Sequence, residues 1–251
     1  MERRAVTSTV PALGLFGFGA FGRLAARHLS PYFRILVHDP SPAAQRQARR
    51  WNVEIVSLEE AAACPIVVLA APVGGLEDLA HRIAPHVRPR ALVIDVASVK
   101  LKPAAWLDAL IPAHADVIGT HPLFGPQSAR RGIADLEVVV CPVRTRRSDR
   151  VVRFLRTLGL KVSVATPDQH DRALAVVQGL THMIAKVLSG LEPLPRTHTT
   201  RSYDLMLEGI GLVSGDSDEL FLAIERDNPY GAEVRARFFA EIDALRARLE
   251  G

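Results

Sequence analysis

The stretch Leu13–Gly22, with the sequence LGLFGFGAFG, places a glycine-rich turn directly after a short apolar segment. Leu13–Phe16 has the length and apolarity of a buried strand, and the residues after it form the pattern G-x-G-x-x-G. Glycines in that pattern permit a tight turn and a close approach of the backbone to a pyrophosphate, which the N-terminus of the following helix stabilises. The alternative is a glycine-rich turn without a ligand. The stretch predicts a dinucleotide-binding unit whose contacts come from Gly17, Phe18, Gly19, Ala20, Phe21 and Gly22.

An acidic residue follows the second predicted strand, Arg34–His38. Asp39 lies where a carboxylate can accept hydrogen bonds from both hydroxyls of an adenosine ribose, and it would repel a 2′-phosphate. The sequence therefore favours NAD over NADP as the cofactor. Ala71 and Pro72, after the predicted strand Ile66–Ala70, are a candidate wall of the same site, with a plain strand-ending turn as the alternative.

Apolar runs of strand length recur from residue 13 to about residue 165 and alternate with longer mixed segments. Several of these runs are continuous, as expected for strands buried on both faces of a parallel sheet. From residue 166 onward the pattern indicates helices only, beginning with a capping box in Thr166–Gln169. We therefore expect an α/β protein with a Rossmann-type doubly wound sheet in residues 1–165 and an all-helical domain in residues 166–251. Within the first domain the predicted strands are Leu13–Phe16, Arg34–His38, Ile66–Ala70, Leu92–Asp95, Val117–Gly119, Val138–Cys141 and Val162–Ala165, and the predicted helices are Gly22–Leu29 and Gly75–Ile83.

The composition of the chain limits the classes of protein that it can represent. Of 251 residues, 48% are hydrophobic and 23% charged, which suffices for a packed core and excludes a disordered or fibrous chain. The net charge is +4, and the densest basic cluster, Arg144–Arg150, has no interleaved aromatic residues. It predicts a solvated turn rather than a nucleic-acid contact. No apolar run approaches the roughly 18 residues of a membrane span, so no membrane partner is expected.

The two cysteines, Cys64 and Cys141, are isolated in the sequence. They lack the close spacing of a metal site or a disulfide framework, so we expect no metal and a reducing, cytoplasmic location. Arg3 and Arg4 before an apolar stretch resemble the start of a signal peptide, but the glycines of that stretch make a poor helical segment.

His121 is the first candidate for chemistry. It lies in the segment THPLFGPQS, follows a predicted strand, and precedes a proline that favours an extended backbone. This puts an imidazole at the carboxyl edge of the sheet, where open α/β proteins bind ligands. Ser98 follows the strand before it and can reach the same crevice. A histidine and a hydroxyl beside a nicotinamide suit an alcohol oxidation, although a histidine packed in a proline-rich turn explains the pattern equally well.

The long helix predicted from residue 167 to about residue 191 has two unlike faces. One is polar or small and carries Gln178 and His182, and the other is apolar. Either the polar stripe faces water, or it lines a cleft between the domains, with His182 touching a substrate. The stripe comprises Asp171, Ala175, Gln178, His182, Ala185 and Ser189, and the opposite face Val176, Val177, Leu180, Met183, Ile184, Val187 and Leu191.

Taken together, these segments resemble the prephenate/arogenate dehydrogenase family of tyrosine biosynthesis. The resemblance covers nearly the whole chain, and THPLFGPQS is its most specific part. It implies a Rossmann domain followed by a helical dimerisation domain, and the NAD-dependent oxidative decarboxylation of prephenate to 4-hydroxyphenylpyruvate or of arogenate to tyrosine. The similar segments are GFGAFG, DVASVK, THPLFGPQS, QHD…QGLTH and YDLMLEGIGLVSGDSDEL.

The resemblance also implies roles for individual residues. His121 falls on the family's catalytic histidine, Ser98 on a serine that hydrogen-bonds near it, and His182 on a substrate-side histidine. Many bacterial members carry an arginine that binds the ring carboxylate at the position where this chain has Asp204. In this respect the chain resembles the plant-type arogenate enzymes, which have an acidic residue there. The carboxylate-binding cation is left open, with Arg201 the nearest candidate and Gln178 a further candidate substrate contact.

Two other functions remain open from the sequence. One is a related β-hydroxyacid or imine reductase, which commonly relies on a lysine, and the other is a nucleotide-sensing module without chemistry. For assembly, family members dimerise through the helical region, and the apolar stripe of the last predicted helix is long for the domain it covers. We therefore expect a homodimer. The stripe consists of Val234, Phe238, Ile242, Leu245 and Leu249.

Overall fold

A computed structural model describes residues 10–51 and 53–251, and in it a sheet precedes a group of helices. The strands are β1 (Ala12–Phe16), β2 (Arg34–His38), β3 (Glu54–Ile55), β4 (Ile66–Leu69), β5 (Leu92–Asp95), β6 (Asp116–Pro122), β7 (Glu137–Arg144) and β8 (Lys161–Val164). The helices are α1 (Ala20–Leu29), α2 (Pro42–Arg50), α3 (Leu58–Ala62), α4 (Val73–Ile83), α5 (Leu101–Leu110), α6 (Ser148–Thr157), α7 (Pro167–Gly190), α8 (Arg201–Gly211), α9 (Asp218–Leu222) and α10 (Gly231–Glu250). One turn of π-helix, Ala223–Asp227, follows α9.

The eight strands form one sheet in the order β3-β2-β1-β4-β5-β6-β7-β8. Strands β1 to β6 are parallel, which confirms the Rossmann-type sheet, and the order reverses between β1 and β4. The β6–β7 pair is antiparallel, contrary to a uniformly parallel sheet. The connection between these strands contains only a short 3-10 turn, and a parallel return requires a crossover element that lies across the sheet.

The core consists of apolar side chains on both faces of the sheet. One face packs against α3, α4 and α5, and the other packs against α1. Helix α3 lies so close to β1 that a Cβ on Gly14 would come within 2.0 Å of the Ala61 carbonyl oxygen. The continuous apolar runs read from the sequence are therefore strands covered on both sides.

The arginines near residue 147 were predicted to lie in a solvated turn, and this is wrong for two of them. Arg144 donates to the Asp108 and Ile111 carbonyl oxygens at the end of α5, each over 2.7 Å. Arg147 donates from its Nε atom to Asp116 over 2.7 Å. These guanidinium groups bind oxygen atoms of the sheet domain itself, because β7 and α6 carry them back over the C-terminus of α5 and the start of β6.

Helix α7 begins at the predicted capping box. Thr166 Oγ1 accepts from the Gln169 backbone N–H over 3.1 Å, and Gln169 Oε1 accepts from the Thr166 N–H over 3.0 Å. The alternative in which its polar stripe faces water is wrong. Asp171, Ala175 and His182 are buried inside the molecule, whereas Val177 is 62% exposed. Apart from the buried Met183 and the half-buried Leu180, the apolar face is therefore the one that the monomer leaves uncovered.

Among the described residues, α7 is the single helix that is long enough and apolar enough to cross a membrane. Core helices of soluble proteins pass the same test. Only 33% of its most apolar window is buried. The expectation that the protein has no membrane partner stays a prediction.

Candidate active site at the carboxyl edge of the sheet

The glycines of the predicted fingerprint have different structural roles. Gly17 has a φ of +95°, and a Cβ there would lie 2.5 Å from the Ala70 carbonyl oxygen. A Cβ on Gly22 would lie 2.1 Å from the Gly17 carbonyl oxygen. Gly19 is the N-cap residue of α1, and a Cβ placed on it would meet no other described residue within 4 Å. No side chain caps this end of the helix. Two glycines therefore permit the turn, and the third leaves the N–H groups of the first helical turn open to a pyrophosphate.

Asp39 lies beside that turn. Its Oδ2 atom accepts from the Phe18 backbone N–H over 2.7 Å, and its Oδ1 atom accepts from the Ser41 N–H over 2.8 Å. Phe18, Gly19 and Asp39 line a pocket of about 480 Å³, whose rim carries basic side chains. The residues present fit the adenosine half of NAD, since they offer a carboxylate for the ribose and free N–H groups for the phosphates. The basic residues are Arg23, Arg46 and Arg50.

Ala71 and Pro72 do not line this pocket. Ala71 packs against the core below α4, and Pro72 is the exposed N-cap residue of α4. They are the two residues that follow Ala70, whose carbonyl oxygen lies close to Gly17. This places them at the same edge of the sheet as the fingerprint.

A buried polar cluster occupies the ends of β5 and β6. The Lys100 ammonium group is fully buried, donates to the Thr120 carbonyl oxygen over 2.8 Å and pairs with Asp95. Burial raises the pKa of Asp95, and the charge of Lys100 opposes that shift. Nearby, burial raises the pKa of the Cys141 thiol to about 12, so this cysteine is unreactive at neutral pH.

His121 belongs to this cluster. It lies within β6, opposite Val139 of β7, rather than after the strand. Its Nδ1 atom is 2.9 Å from His170 Nε2, and His170 Nδ1 is 2.7 Å from Asp171 Oδ1. All three side chains are buried. Helix α7 thus supplies two side chains to a site whose third member comes from the sheet.

The environment of His121 favours its neutral form. Burial lowers the pKa of His121 well below its ordinary value, and positive charge in its surroundings, such as that of the buried Lys100 side chain, lowers it further. A neutral imidazole has one nitrogen that can accept a proton, so His121 is equipped as a general base at neutral pH.

The structure buries Ser98 but gives it no hydrogen bond to His121. Ser98 is 7% exposed, and its Oγ atom has no partner among residues 10–51 and 53–251. A buried hydroxyl without a partner is uncommon, and it is available to a bound ligand.

His182 lies on the buried face of α7, together with His170 and Asp171. Its Nδ1 atom is 2.9 Å from the Gln178 carbonyl oxygen and its Nε2 atom is 3.0 Å from Asp216 Oδ2. Both ring nitrogens of His182 are therefore in contact with oxygen atoms of the protein itself. The Gln178 side chain is half-buried and takes no part in these bonds.

The structure does not bring Arg201 into the cluster. Arg201 is exposed in the first turn of α8, as is Asp204. Four cluster members were absent from the predicted site residues: Asp95, Lys100, His170 and Asp171. Asp95 and Lys100 lie in otherwise apolar stretches of the sequence, which is a signal of buried charge, whereas His170 and Asp171 stand in a polar stretch at the start of α7 that carries no such signal.

No group of three or more His, Cys, Asp or Glu side chains in residues 10–51 and 53–251 is arranged to hold a metal ion. The cluster joins its histidines to each other and to carboxylates by hydrogen bonds. Its chemistry is therefore that of proton transfer beside a cofactor pocket.

Comparison with known protein families gives two matches that overlap at residues 166–173. Residues 23–173 match the nucleotide-binding domain of prephenate dehydrogenase, and residues 166–251 match the dimerization domain of prephenate dehydrogenase. The first match begins just after the glycine fingerprint, whose assignment therefore rests on its geometry.

Two curated proteins are similar over most of this chain. A probable arogenate/prephenate dehydrogenase of Methanocaldococcus jannaschii is 31% identical over 92% of this chain, which spans 54% of that protein's length. Arogenate dehydrogenase 2, chloroplastic, of Arabidopsis thaliana is 28% identical over 97% of this chain and 71% of its own length.

Among solved structures, the fold is similar to prephenate dehydrogenase from A. aeolicus in complex with hydroxyphenyl propionate and NAD+. The TM-score is 0.76 at 18% sequence identity, covering 97% of this chain and 92% of the other. At this identity the likeness shows the fold alone.

Proposed function

Since this chain belongs to the prephenate dehydrogenase family, we propose that it oxidatively decarboxylates prephenate, arogenate or both, with NAD as hydride acceptor. The observation that carries the proposal is His121. It is a buried imidazole held neutral at the carboxyl edge of the sheet, on the side to which the glycine fingerprint also opens. A nucleotide-sensing module would have no use for such a base.

NAD is supported by the residues of the cofactor pocket. The open space above Gly19 suits the pyrophosphate, and the Asp39 carboxylate suits a ribose with two free hydroxyls. The A. aeolicus protein of the same fold was solved with NAD+. Bound NAD supplies a nicotinamide ring that accepts a hydride from the substrate carbon bearing the hydroxyl.

The protein's own residues have to bind, orient and deprotonate the substrate. His121 takes the proton of the ring hydroxyl while the carbon loses hydride, the ring carboxylate leaves as CO₂ with its bonding electrons passing into the ring, and the proton returns from His121 to the phenolate oxygen of the product. The product ring is aromatic, so the step is strongly downhill and most of the protein's contribution is positioning. The Lys100 side chain is engaged by Asp95 and by the Thr120 carbonyl oxygen, which leaves His121 as the candidate base.

The substrate contacts are assigned to the side of the site formed by α7 and Ser98. His182, held by Asp216 and the Gln178 carbonyl oxygen, lies on the same buried face of α7 as Asp171, and the unpartnered Ser98 hydroxyl can bind the substrate oxygen. Gln178 and Arg201 are the further candidates, and Arg201 requires movement of α8 because it is exposed. The relatives named above include both arogenate and prephenate dehydrogenases, so both substrates belong in the proposal.

We also propose a cytoplasmic homodimer that binds neither nucleic acid nor membrane. Its support is the match of residues 166–251 to a dimerization domain and the exposed apolar face of α7. Both cysteines are buried and free, as suits a reducing compartment.

The test is an NADH absorbance assay with NAD and either prephenate or arogenate, in which products are identified by mass spectrometry. We expect NADH together with 4-hydroxyphenylpyruvate or tyrosine, and a loss of both in His121→Asn. A β-hydroxyacid or imine reductase would act on its own substrates only. Absence of NADH with both ring substrates, in protein shown to bind NAD, would overturn the proposal.

A further inference from the structure

We infer that His170 and Asp171 are positioning residues that fix the tautomer of His121 and take up the charge it gains. This inference rests on the proposed function, in which His121 is the base. The starting observation is the continuous hydrogen-bonded chain from Asp171 through His170 to His121, with every member buried.

The fixed end of the chain is the Asp171 carboxylate. Its Oδ1 atom accepts from the Lys100 backbone N–H over 2.7 Å, and its Oδ2 atom accepts from the Leu101 N–H over 2.9 Å, at the N-terminus of α5. The backbone carbonyl of Asp171 accepts from the Asn228 side chain over 2.8 Å. Asp171 is therefore held as an acceptor by backbone groups that cannot reverse their direction.

The tautomers follow in sequence from that fixed end. Because Asp171 Oδ1 accepts, His170 Nδ1 carries the hydrogen, and neutral His170 has its lone pair on Nε2. His170 Nε2 lies 2.9 Å from His121 Nδ1, so His121 Nδ1 donates. The remaining nitrogen of His121, Nε2, is left without hydrogen. The opposite tautomer would put a hydrogen on Nε2 and could not accept a proton from the substrate.

The same hydrogen-bonded chain also accommodates the positive charge that forms when His121 accepts a proton. When the substrate O–H bond breaks and a new N–H bond forms at His121 Nε2, a cation arises in a buried site beside Lys100. The hydrogen on His121 Nδ1 can then move to His170 Nε2, which leaves the positive charge on His170, next to the Asp171 carboxylate. No atom is gained or lost in this transfer.

The other ionisable groups that face His121 already have partners. Lys100 on the β5 side is bound to Asp95, and His182 on α7 is bound to Asp216. Asp171 is thus the carboxylate that is linked to His121 by hydrogen bonds, and it comes from the helical region while His121 comes from the sheet. The base is complete only when α7 is docked on α5 and β6.

The direct test is nitrogen NMR of histidine-labelled protein with NAD bound and no substrate, with the His121 signals assigned by their loss in His121→Asn. We expect a hydrogen on Nδ1 and a bare Nε2 in the wild-type protein. A hydrogen on Nε2 as the main form would overturn the inference, even if no variant of His170 folds.

The kinetic test compares two variants of His170 with His81→Phe, a control at an exposed position of α4. His170→Phe removes the acceptor, and we expect kcat to fall by about 10²-fold or more with the NAD dissociation constant unchanged. His170→Gln places an amide oxygen near the position of Nε2 and should recover at least part of the loss. The acid limb of the pH profile should move in His170→Phe and stay in His81→Phe.

The two failures can be told apart. If neither ring substrate gives NADH, the proposed function fails, while the NMR measurement still decides the tautomer. If the assay works and His170→Phe keeps the wild-type kcat and pH profile, the pair has only a structural role and this inference is wrong.

Discussion

His121 is the residue on which the chemistry depends, because it combines burial, a depressed pKa and a free nitrogen. We predict that His121→Asn lowers kcat by about 10²–10⁴-fold, the usual contribution of a general base. The affinity for NAD should change little, since the glycine fingerprint and Asp39 are elsewhere. Turnover by stopped-flow or steady-state NADH formation and NAD titration by fluorescence check both parts. Near-normal turnover would assign the base to another residue.

The pH dependence of kcat follows from the same environment. The neutral form of His121 is the active one, and burial first and neighbouring charges second lower its pKa from the ordinary value of about 6.5. The rate should therefore remain high as the pH falls through 6.5 and decline only well below it. A kcat profile on acid-stable protein checks this, and an acid limb centred at or above 6.5 would contradict it.

Asp39 sets the choice between the two nicotinamide cofactors. We predict that Asp39→Ser lowers the NAD-over-NADP ratio of kcat/KM by about 10–100-fold, because removing the carboxylate removes repulsion of a 2′-phosphate. Arg46 and Arg50 on the pocket rim then attract that phosphate. The ratio is measured with both cofactors in variant and wild type. Equal use of both cofactors by the unmutated protein would refute the assignment of Asp39.

At the level of elements, two glycines of the turn between β1 and α1 have different roles, one in the stability of the fold and the other in cofactor binding. We predict that Gly22→Ala destabilises the protein by about 3 kcal/mol or more, because its Cβ would overlap the Gly17 carbonyl oxygen. Gly19→Ala should fold normally, since its backbone is extended and its surroundings open, and should weaken NAD binding by about tenfold. Denaturant unfolding and NAD titration of the two variants give the comparison. Normal NAD affinity in Gly19→Ala would place the pyrophosphate elsewhere.

The elements that could be predicted from the sequence are those with a local signal. Continuous apolar runs predicted seven of the strands, and Thr166–Gln169 predicted the start of α7. Helices α2, α3, α5 and α6 and the two-residue strand β3 were missed. Helix α5 is apolar on several sides because it lies between the sheet and α7, and α6 begins in the arginine-rich segment. In both cases long-range packing, rather than periodicity, determines the structure.

In the candidate site, too, only the features with a local sequence signal could be predicted. His121 was visible because a strand end and a proline mark its position, whereas the link from His121 to Asp171 joins residues of β6 and α7 that only the tertiary fold brings together. The two faces of α7 were predicted correctly as polar and apolar. Which face the monomer buries depends on what lies opposite, and here that is a polar cluster.

For the whole molecule, the uncovered apolar surface is the feature that a monomer leaves unexplained. The exposed apolar side chains are Val176, Val177 and Val187 on α7, Leu191 at its C-cap, and Leu245 and Leu249 on α10. Clusters of exposed apolar side chains of this kind mark association surfaces, and the region matches a dimerization domain. An obligate dimer of this kind would bury above about 2,000 Å².

We predict that the protein sediments at twice its chain mass of 27.4 kDa and that Val177→Asp shifts it to the monomer at micromolar concentration. A carboxylate in the apolar surface would lose its water on association and face its own copy across a two-fold axis. Val164→Asp is the matched control, because Val164 in β8 is 59% exposed, close to the 62% of Val177, and belongs to the sheet. The control should remain dimeric. Sedimentation of the wild-type protein as a monomer, or of Val177→Asp as an unchanged dimer, would show that this face of α7 is not the interface.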